Sequence, residues 1–204
     1  MSQGRVLARP ADLPPWFEPL LTAAGDCRTE DFTTLRPPAG GGRPSAVLVL
    51  LGEGDDGPDL LILQRAATMR NHAGQPAFPG GATDPEDADV VATALREADE
   101  ELDLKADRIE VIGALPYYHT VTRYEVTPVV ALVHPPFVLT PHAGEVAEAF
   151  EVPLAFLLDP ANHQKRSRPW NGRQRHFYAM PYDGHFIWGA TAAMLRNLYH
   201  FLRV

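Results

Sequence analysis

The sequence has little cysteine, no excess of positive charge and no long apolar run. Its single cysteine, Cys27, has no second cysteine with which to form an intrachain disulfide, and it excludes a zinc site built on several cysteines. The formal net charge of -8 argues against a protein that coats nucleic acid, because contacts to phosphates need a positive surface. An anionic ligand must therefore be held by local positive charge or by a metal ion.

No segment of the sequence is long and apolar enough to cross a bilayer or to direct secretion. The longest apolar run covers residues 46–51, and residues 1–17 lack the apolar core of a signal peptide. With 45% hydrophobic and 22% charged residues, a chain of 204 residues can bury one sizeable core. We therefore expect a soluble, cytoplasmic protein with no membrane or nucleic-acid partner, and we leave open whether it is a monomer or a homodimer.

Short apolar runs interleaved with helical patterns predict an α/β domain built on a mixed sheet. Residues 1–42, rich in proline and glycine, are interpreted as a helical and loop lead-in packed on a domain that spans residues 43–204. Segment 65–88 is long for a connection inside a compact domain, which makes it a candidate functional loop. Strands are predicted at 46–51, 60–64, 110–115, 126–134 and around 177–181, the first two as a hairpin, and helices at 88–104 and 190–202.

The helix predicted at 88–104 concentrates carboxylates. Four apolar side chains spaced by four, three and four residues predict a buried stripe, and three glutamates are predicted to project together from the opposite side. The stripe consists of Val91, Leu95, Ala98 and Leu102, and the glutamates are Glu97, Glu100 and Glu101. A hard divalent cation such as Mg²⁺ binds carboxylate and phosphate oxygens and would offset the repulsion within such a cluster. The alternative is a solvated acidic face on an amphipathic helix.

A glycine turn lies directly before this helix. Phe78-Pro79-Gly80-Gly81 places two glycines where the backbone can approach a ligand or metal without a Cβ in the way. Together with the acidic loop and the helix, residues 80–104 resemble the Nudix hydrolase family, whose box runs glycine, five residues, glutamate, seven residues, Arg-Glu-apolar-x-Glu-Glu-x-Gly-apolar. The chain departs from this box in three ways: Asp87 replaces a glutamate, eight residues separate it from Arg96, and Asp103 replaces the late glycine.

A second motif upstream resembles the coenzyme A pyrophosphatase branch of this family. Residues 61–81 read LILQRAATMRNHAGQPAFPGG, in which Arg65, Arg70, Gly74 and the glycine turn keep the order and spacing of that branch. Hydroxyl residues of the motif are replaced by Leu63 and Ala66, and Thr122-Arg123-Tyr124 stands where a hydroxyl residue, glycine and phenylalanine are expected. The first two departures in the box also fit this branch, and the resemblance spans about residues 43–202.

The resemblance implies a Nudix-type α/β/α sandwich with Mg²⁺ or Mn²⁺ as cofactor. The reaction it implies is cleavage of the diphosphate bond of coenzyme A or a CoA derivative, giving 4'-phosphopantetheine or its acyl form and 3',5'-ADP. Two alternatives stay open: a Nudix hydrolase of another nucleoside diphosphate compound, such as ADP-ribose or a dinucleotide, and a non-catalytic nucleotide-binding module.

The family's roles can be carried onto seven residues of this chain. Glu97 and Glu101 are the expected metal ligands, with Glu97 also counted as catalytic, and Glu100 is a further ligand or the base that activates water. The carbonyl of Gly81 is a further expected metal ligand. The expected roles of the three arginines are orientation of a catalytic carboxylate by Arg96 and binding of anionic substrate groups by Arg65 and Arg70.

Two further groups of charged residues have open roles. The stretch 163–177 is interpreted as a loop whose basic side chains either bind the substrate's nucleotide phosphates or are simply solvated. These side chains are Lys165, Arg166, Arg168, Arg173 and Arg175, and they surround Trp170. Glu145 and Glu148 either reach the site from a later segment or face solvent.

Overall fold

The computed structural model describes residues 6–7, 40–170 and 172–202 of the chain. The helical part of the predicted lead-in and Cys27 lie outside the described residues. Within the lead-in, strand β1 (Val6–Leu7) pairs antiparallel with Ala114 and Gly113 of the domain.

The remaining elements alternate between strands and helices. The strands are β2 (Arg43–Gly54), β3 (Gly57–Arg65), β4 (Pro76–Ala77), β5 (Gly80–Ala82), β6 (Ile109–Ala114), β7 (Tyr118–His119), β8 (Tyr124–Val133), β9 (Val146–Pro153), β10 (Gln164–Trp170), β11 (Arg173–Tyr182) and β12 (His185–Trp188). The helices are α1 (Val90–Leu102), α2 (Leu154–Leu158) and α3 (Gly189–Leu202), with short 3₁₀ helices at Ala106–Arg108 and Pro160–Asn162.

Strands β1 to β9 form one mixed sheet. Its order is β1-β6-β8-β2-β3-β4, while β5 pairs with β2, β7 with β8 and β9 with β3. Strands β2 and β8 run parallel, from Arg43 opposite Tyr124 to Leu51 opposite Leu132, and β2 and β3 form the predicted hairpin. The apolar run of β2 is continuous because this central strand is buried on both faces.

Helices cover both faces of this sheet. On one face, Ala94, Ala98 and Leu102 of α1 pack against Leu48 and Leu50 of β2. On the other, α2 and α3 pack against the opposite side chains of the same strands, which include Val49, Leu51, Leu60 and Ile62. The α/β/α sandwich with a mixed sheet is therefore confirmed. Among the described helices, none is both long and apolar enough to cross a membrane.

Two local predictions need correction. The buried row of α1 is formed by Ala94, Ala98 and Leu102, whereas Val91 and Leu95 at the rim of the helix are half-buried. The stretch 163–177 is mostly sheet and not a loop, because β10 and β11 pair along their length and β12 adds a third strand. Every residue of β10 is exposed, so the strand lacks the apolar alternation by which strands are recognised.

Candidate active site

The glycine turn packs tightly against the central strand and against helix α1. Gly80 adopts a φ of +150°, and a Cβ there would lie 2.4 Å from the carbonyl oxygen of Ala46. A Cβ on Gly81 would lie 2.3 Å from Oε1 of Glu97. Gly80 is therefore required by the backbone packing, and Gly81 leaves the space that the Glu97 carboxylate occupies.

Glu101 is the most deeply buried carboxylate of the helix, with 2% of its side chain exposed. One of its oxygens accepts a hydrogen bond of 3.0 Å from the backbone N–H of Gly80, and the other lies 3.4 Å from Nη1 of Arg65. Burial raises the pKa of Glu101 to about 7, although both donors oppose the rise and the charges of Glu97 and Glu145 add to it. A proton or a cation is therefore readily taken up here.

Glu97 is less deeply buried than Glu101, with 15% of its side chain exposed. Burial is the main cause that raises its pKa, the hydrogen bond and charge of Arg96 oppose the rise, and the negative charges of Glu100 and Glu145 reinforce it. By contrast, Glu100 is 58% exposed. The three glutamates predicted to project together do lie near one another, but their exposure ranges from buried to exposed, because the glycine turn covers Glu101 and Glu97.

Arg96 connects these carboxylates to the acidic loop. Its Nε and Nη2 donate to the two oxygens of Asp87 at 3.0 and 3.1 Å, and its Nη1 donates to Glu97 and to Glu100 at 3.0 Å each. Nη2 also donates to the carbonyl of Ala82 at 3.0 Å. The guanidinium beside Asp87 holds the pKa of that carboxyl well below its usual range. Arg96 is thus fixed by one carboxylate while it positions two others.

The role of Asp87 was not recognised from the sequence, where it counted only as a departure from the box. Its side chain is 6% exposed, and besides Arg96 it accepts a hydrogen bond of 2.9 Å from the hydroxyl of Thr93. An acidic residue nine positions before an arginine, across a helix N-terminus, is too common a pattern to have revealed the pairing. The contact depends on the loop between Asp84 and the N-cap Asp89.

The two arginines of the upstream motif have different environments. Arg65, at the end of β3, has an 18% exposed side chain directed at Glu101, and its Nε is buried without a hydrogen-bond partner among the described residues. Arg70 is exposed in the segment between β3 and β4. The structure therefore brings Arg65 to the acidic helix and leaves Arg70 on the surface of the loop.

Glu145 comes to the same site from the segment between β8 and β9. Its negative charge contributes to the raised pKa of both Glu97 and Glu101. Its carbonyl accepts a hydrogen bond of 2.8 Å from the N–H of Ala66. Upstream in the same segment, the N–H groups of Thr140 and His142 donate to the carbonyls of Leu102 and Glu101 at 2.8 and 2.9 Å. Of the two later glutamates, Glu148 is 56% exposed, next to His185.

Two departures from the motifs keep the backbone conformation that glycine favours. Asp103 ends α1 in the left-handed conformation at φ 55°, and its N–H donates to the carbonyls at the end of the helix. Arg123 also lies in the left-handed region, at φ 67°, in the turn before β8. The helix end and the turn are therefore preserved without glycine, at a local conformational cost of about 1 kcal/mol each.

The donor chemistry of the cluster fits a hard divalent cation. Carboxylate oxygens are the ligands such ions prefer, and the burial that raises the pKa of Glu97 and of Glu101 disfavours their negative charges, which a cation would offset. Within residues 40–170 and 172–202, no three His, Cys, Asp or Glu side chains are gathered as a ready-made ligand set. A cation must therefore compete with the hold of Arg96 on Glu97 and Glu100.

Comparisons with known proteins identify the family of this chain. A family model described as NUDIX domain matches residues 42–173. The chain is 42% identical over 156 residues to the uncharacterized Nudix hydrolase NudL of Cronobacter sakazakii, which covers 76% of this chain and 81% of that protein. It is 43% identical over 141 residues to the protein of the same name from Escherichia coli O1:K1 / APEC, covering 69% and 73%.

Among solved structures, a Nudix hydrolase from M. smegmatis, RenU, has the same fold. It aligns with a TM-score of 0.53 at 21% identity and covers 78% of this chain and 84% of that one. The family model spans most of the domain, and the geometry places the glycine turn, Arg96 and the glutamates together. The chain belongs to the Nudix hydrolase family, enzymes that cleave nucleoside diphosphate-linked compounds and generally use divalent metal ions.

Proposed function

We propose that this Nudix hydrolase cleaves the diphosphate bond of coenzyme A or a CoA derivative, giving 4'-phosphopantetheine or its acyl form and 3',5'-ADP. The observation that carries the proposal is the contact between Arg65 and Glu101 at 3.4 Å. Arg65 belongs to the upstream motif that resembles the CoA pyrophosphatase branch, and Glu101 belongs to the Nudix box. The contact supports a single site built from residues of both motifs.

In the proposed site, Glu97 and Glu101 hold Mg²⁺ or Mn²⁺, with Glu100 as a further ligand or as the base and Gly81 offering its carbonyl. The cation supplies neutralisation of the charge that develops on the phosphate oxygens. Glu145 is an additional carboxylate for either task, since its charge acts on both Glu97 and Glu101.

The arginines position groups in this mechanism. Arg96 orients Glu97 and Glu100 through Nη1 while Asp87 fixes its other nitrogens. Arg65 has a buried Nε that is without an acceptor among the described residues, which suits it to bind an anionic oxygen of the substrate. Arg70, exposed in the same segment, is a second contact for the substrate's anionic groups.

The chemical step is attack of water on one phosphorus of the diphosphate. A bond forms between the water oxygen and that phosphorus, and the bond from phosphorus to the bridging oxygen breaks. A carboxylate of the site takes the proton of the water. We further propose that residues 43–204 form the catalytic domain with residues 1–42 as its lead-in, and that the enzyme acts in the cytoplasm as a monomer or homodimer on this small molecule alone.

Incubation of the full chain with CoA and Mg²⁺ or Mn²⁺, with products identified by mass spectrometry, tests the proposal. The wild type is expected to release 4'-phosphopantetheine and 3',5'-ADP, and Glu101→Gln is expected to lose this activity. Glu53→Gln, which removes the same charge at an exposed position near the end of β2, serves as the matched control and is expected to retain full activity.

Two results would contradict the proposal in different ways. Intact CoA together with cleavage of ADP-ribose or a dinucleotide would retain the Nudix chemistry and reject the CoA assignment. Tight nucleotide binding without cleavage of any diphosphate compound would favour a non-catalytic module.

A further inference from the structure

The small sheet formed by β10, β11 and β12 has one exposed face that carries four arginines. The register pairs Arg168 with Arg175 and Trp170 with Arg173, and Arg166 lies two residues before Arg168, so their side chains share a face. Trp188 of β12 pairs with Ala179 and continues this face. We refer to Arg166, Arg168, Arg173, Arg175, Trp170 and Trp188 as the arginine face.

Aromatic rings hold two of these arginines in place. The guanidinium carbon of Arg168 lies 5.1 Å from the ring centre of Trp170 and 4.7 Å from that of Trp188, and Arg166 lies 5.2 Å from the ring of Phe186. Stacking of this kind fixes a guanidinium and leaves its charge able to attract an anion. Arg166 is also held by Gln164, whose Oε1 accepts hydrogen bonds from Nε and Nη2 of the arginine.

The positive charge of the arginine face is not balanced within the described chain. None of its four arginines forms an ion pair with a carboxylate of residues 40–170 or 172–202. Arg168 and Arg175 stand directly opposite each other, and like charges in such cross-strand pairs are destabilising. In a chain with a net charge of -8, this local excess of cations favours a bound anion.

The arginine face is connected to the loop that carries the glycine turn. Strand β12 contacts β4, and the hydroxyl of Thr191, at the start of α3, donates to the carbonyl of Pro76 at 3.0 Å. Trp188 is three residues from Thr191 and Pro76 is five residues from Gly81, and these two stretches span at most about 11 Å and about 18 Å when extended. Strand β12, which carries Trp188 at one end of the arginine face, therefore lies beside the segment that leads to the glycine turn.

We propose that the arginine face binds the nucleoside half of the substrate, with its terminal phosphate monoester between Arg168 and Arg175 and its base against Trp170. This inference rests on the proposed function, since 3',5'-ADP is the part of CoA that carries such a phosphate. Arginine matches phosphate oxygens bidentately, and a base stacks on an exposed aromatic ring; 49% of Trp170 is exposed.

Paired substrates test the assignment. Activity toward CoA and toward 3'-dephospho-CoA, which lacks the monoester, is measured for wild type, Arg168→Gln and Arg175→Gln with Mg²⁺. We expect each variant to raise KM for CoA by about tenfold to a hundredfold, the size of a lost charge-assisted hydrogen bond, while kcat for CoA and both constants for 3'-dephospho-CoA stay unchanged. Lys165→Gln, which removes a positive charge from the other face of β10, is the matched control and is expected to behave as wild type.

A binding measurement separates this inference from the proposed function. Calorimetry with 3',5'-ADP and with 5'-AMP needs no cleavage, and wild type is expected to prefer 3',5'-ADP, a preference that Arg168→Gln removes. If CoA is not cleaved but this preference is found, the proposed function is rejected and the arginine face is retained as the binding site for the phosphate monoester. If CoA is cleaved and the arginine variants match Lys165→Gln for both substrates, the arginine face is rejected and the proposed function stands.

Discussion

Helix α1 and the arginine face are two strongly charged regions of this molecule, and they differ in whether their charges have partners of opposite sign. In α1, each carboxylate of the cluster has a cationic partner from the same chain: Arg65 contacts Glu101, and Arg96 contacts Glu97 and Glu100. In the arginine face, aromatic rings hold Arg166 and Arg168, and no described carboxylate pairs with them.

This difference changes how much free energy each region can gain from binding a ligand. The acidic cluster is partly neutralised by Arg65 and Arg96 before a cation binds. The free energy of cation binding must therefore exceed the free energy of the contacts that these two arginines make. In the arginine face, Arg166 and Arg168 are fixed by aromatic rings, and no described carboxylate offsets the positive charge. Removing a cationic partner from the acidic cluster should therefore lower stability, whereas removing an arginine from the arginine face should leave stability unchanged or raise it.

The largest effect on stability is expected at Glu101. Its pKa is raised from 4.5 to about 7, so between these values the folded protein holds a proton that the unfolded chain has released. The metal-free protein should therefore lose up to about 3 kcal/mol of stability as pH rises from about 4.5 to 7, with no further loss above. Glu101→Gln should remove this loss.

Urea unfolding in EDTA at pH 5 and pH 8 measures the effect of Glu101. The variant is expected to exceed wild type in stability at pH 8, and by less than about 1 kcal/mol at pH 5, where most of the loss has not yet occurred. Parallel pH profiles for the two proteins would show that burial does not disfavour the charge of Glu101, and the contrast between the two regions would lose its basis.

Gly81→Ala should separate activity from stability. The atoms nearest to the added Cβ belong to the carboxylate end of Glu97, which can turn away, so we expect a change in melting temperature of no more than a few degrees. Displacement of that carboxylate should lower kcat by about 100-fold. Gly80→Ala is the comparison, because its Cβ meets the backbone of Ala46 and should destabilise the fold itself. Full activity in Gly81→Ala would exclude Glu97 from the site.

Asp87→Asn should weaken the acidic site through Arg96. Without the paired hydrogen bonds from Nε and Nη2, Arg96 is less well fixed, and we expect about a tenfold loss of Mg²⁺ affinity or activity. Asp84→Asn is the control, since Asp84 is 54% exposed and lies 3.7 Å from Arg96. Equal effects of the two variants on Mg²⁺ titrations would indicate a general charge effect in place of positioning.

The smallest effect is expected in the arginine face. Arg175→Gln removes a like charge opposite Arg168 and should leave stability unchanged or raise it by about 0.2–1 kcal/mol. Arg96→Gln leaves carboxylates without their donor and should lower stability by about 1–3 kcal/mol. Chemical denaturation of both variants at moderate salt measures the difference. A loss of stability in Arg175→Gln comparable to that in Arg96→Gln would remove the distinction between the two regions.

Most of the fold could be predicted because its signals are local. The hairpin of β2 and β3, helix α1 and helix α3 follow from apolar runs and helical periodicity, and their predicted bounds lie close to the observed ones. Strand β10 was not predicted, because both of its faces are exposed and its sequence has no apolar alternation. The partial exposure of Val91 and Leu95 was not predicted, because helical periodicity defines which side chains form a stripe but not how far the sheet extends over that stripe.

The sequence predicts which residues form the candidate site but not which of them contact one another. The motifs identify Glu97, Glu101 and Arg96, whose roles remain predictions. The burial of Glu101 depends on the glycine turn closing over the helix, and the contact of Arg65 with Glu101 joins residues 36 positions apart. Such contacts are set by the packing of β3, β5 and α1, which no spacing in the sequence encodes.

The backbone pairing between the end of α1 and the segment that carries Glu145 has a consequence for loop exchange. Thr140 and His142 donate their N–H groups to the carbonyls of Leu102 and Glu101, so this connection is built jointly with the helix that bears the glutamates. A segment grafted from another family member would keep the arrangement only if it supplied N–H donors at these two positions. Any residue except proline provides one, so the graft can vary widely in side chains but not in its spacing to Glu145.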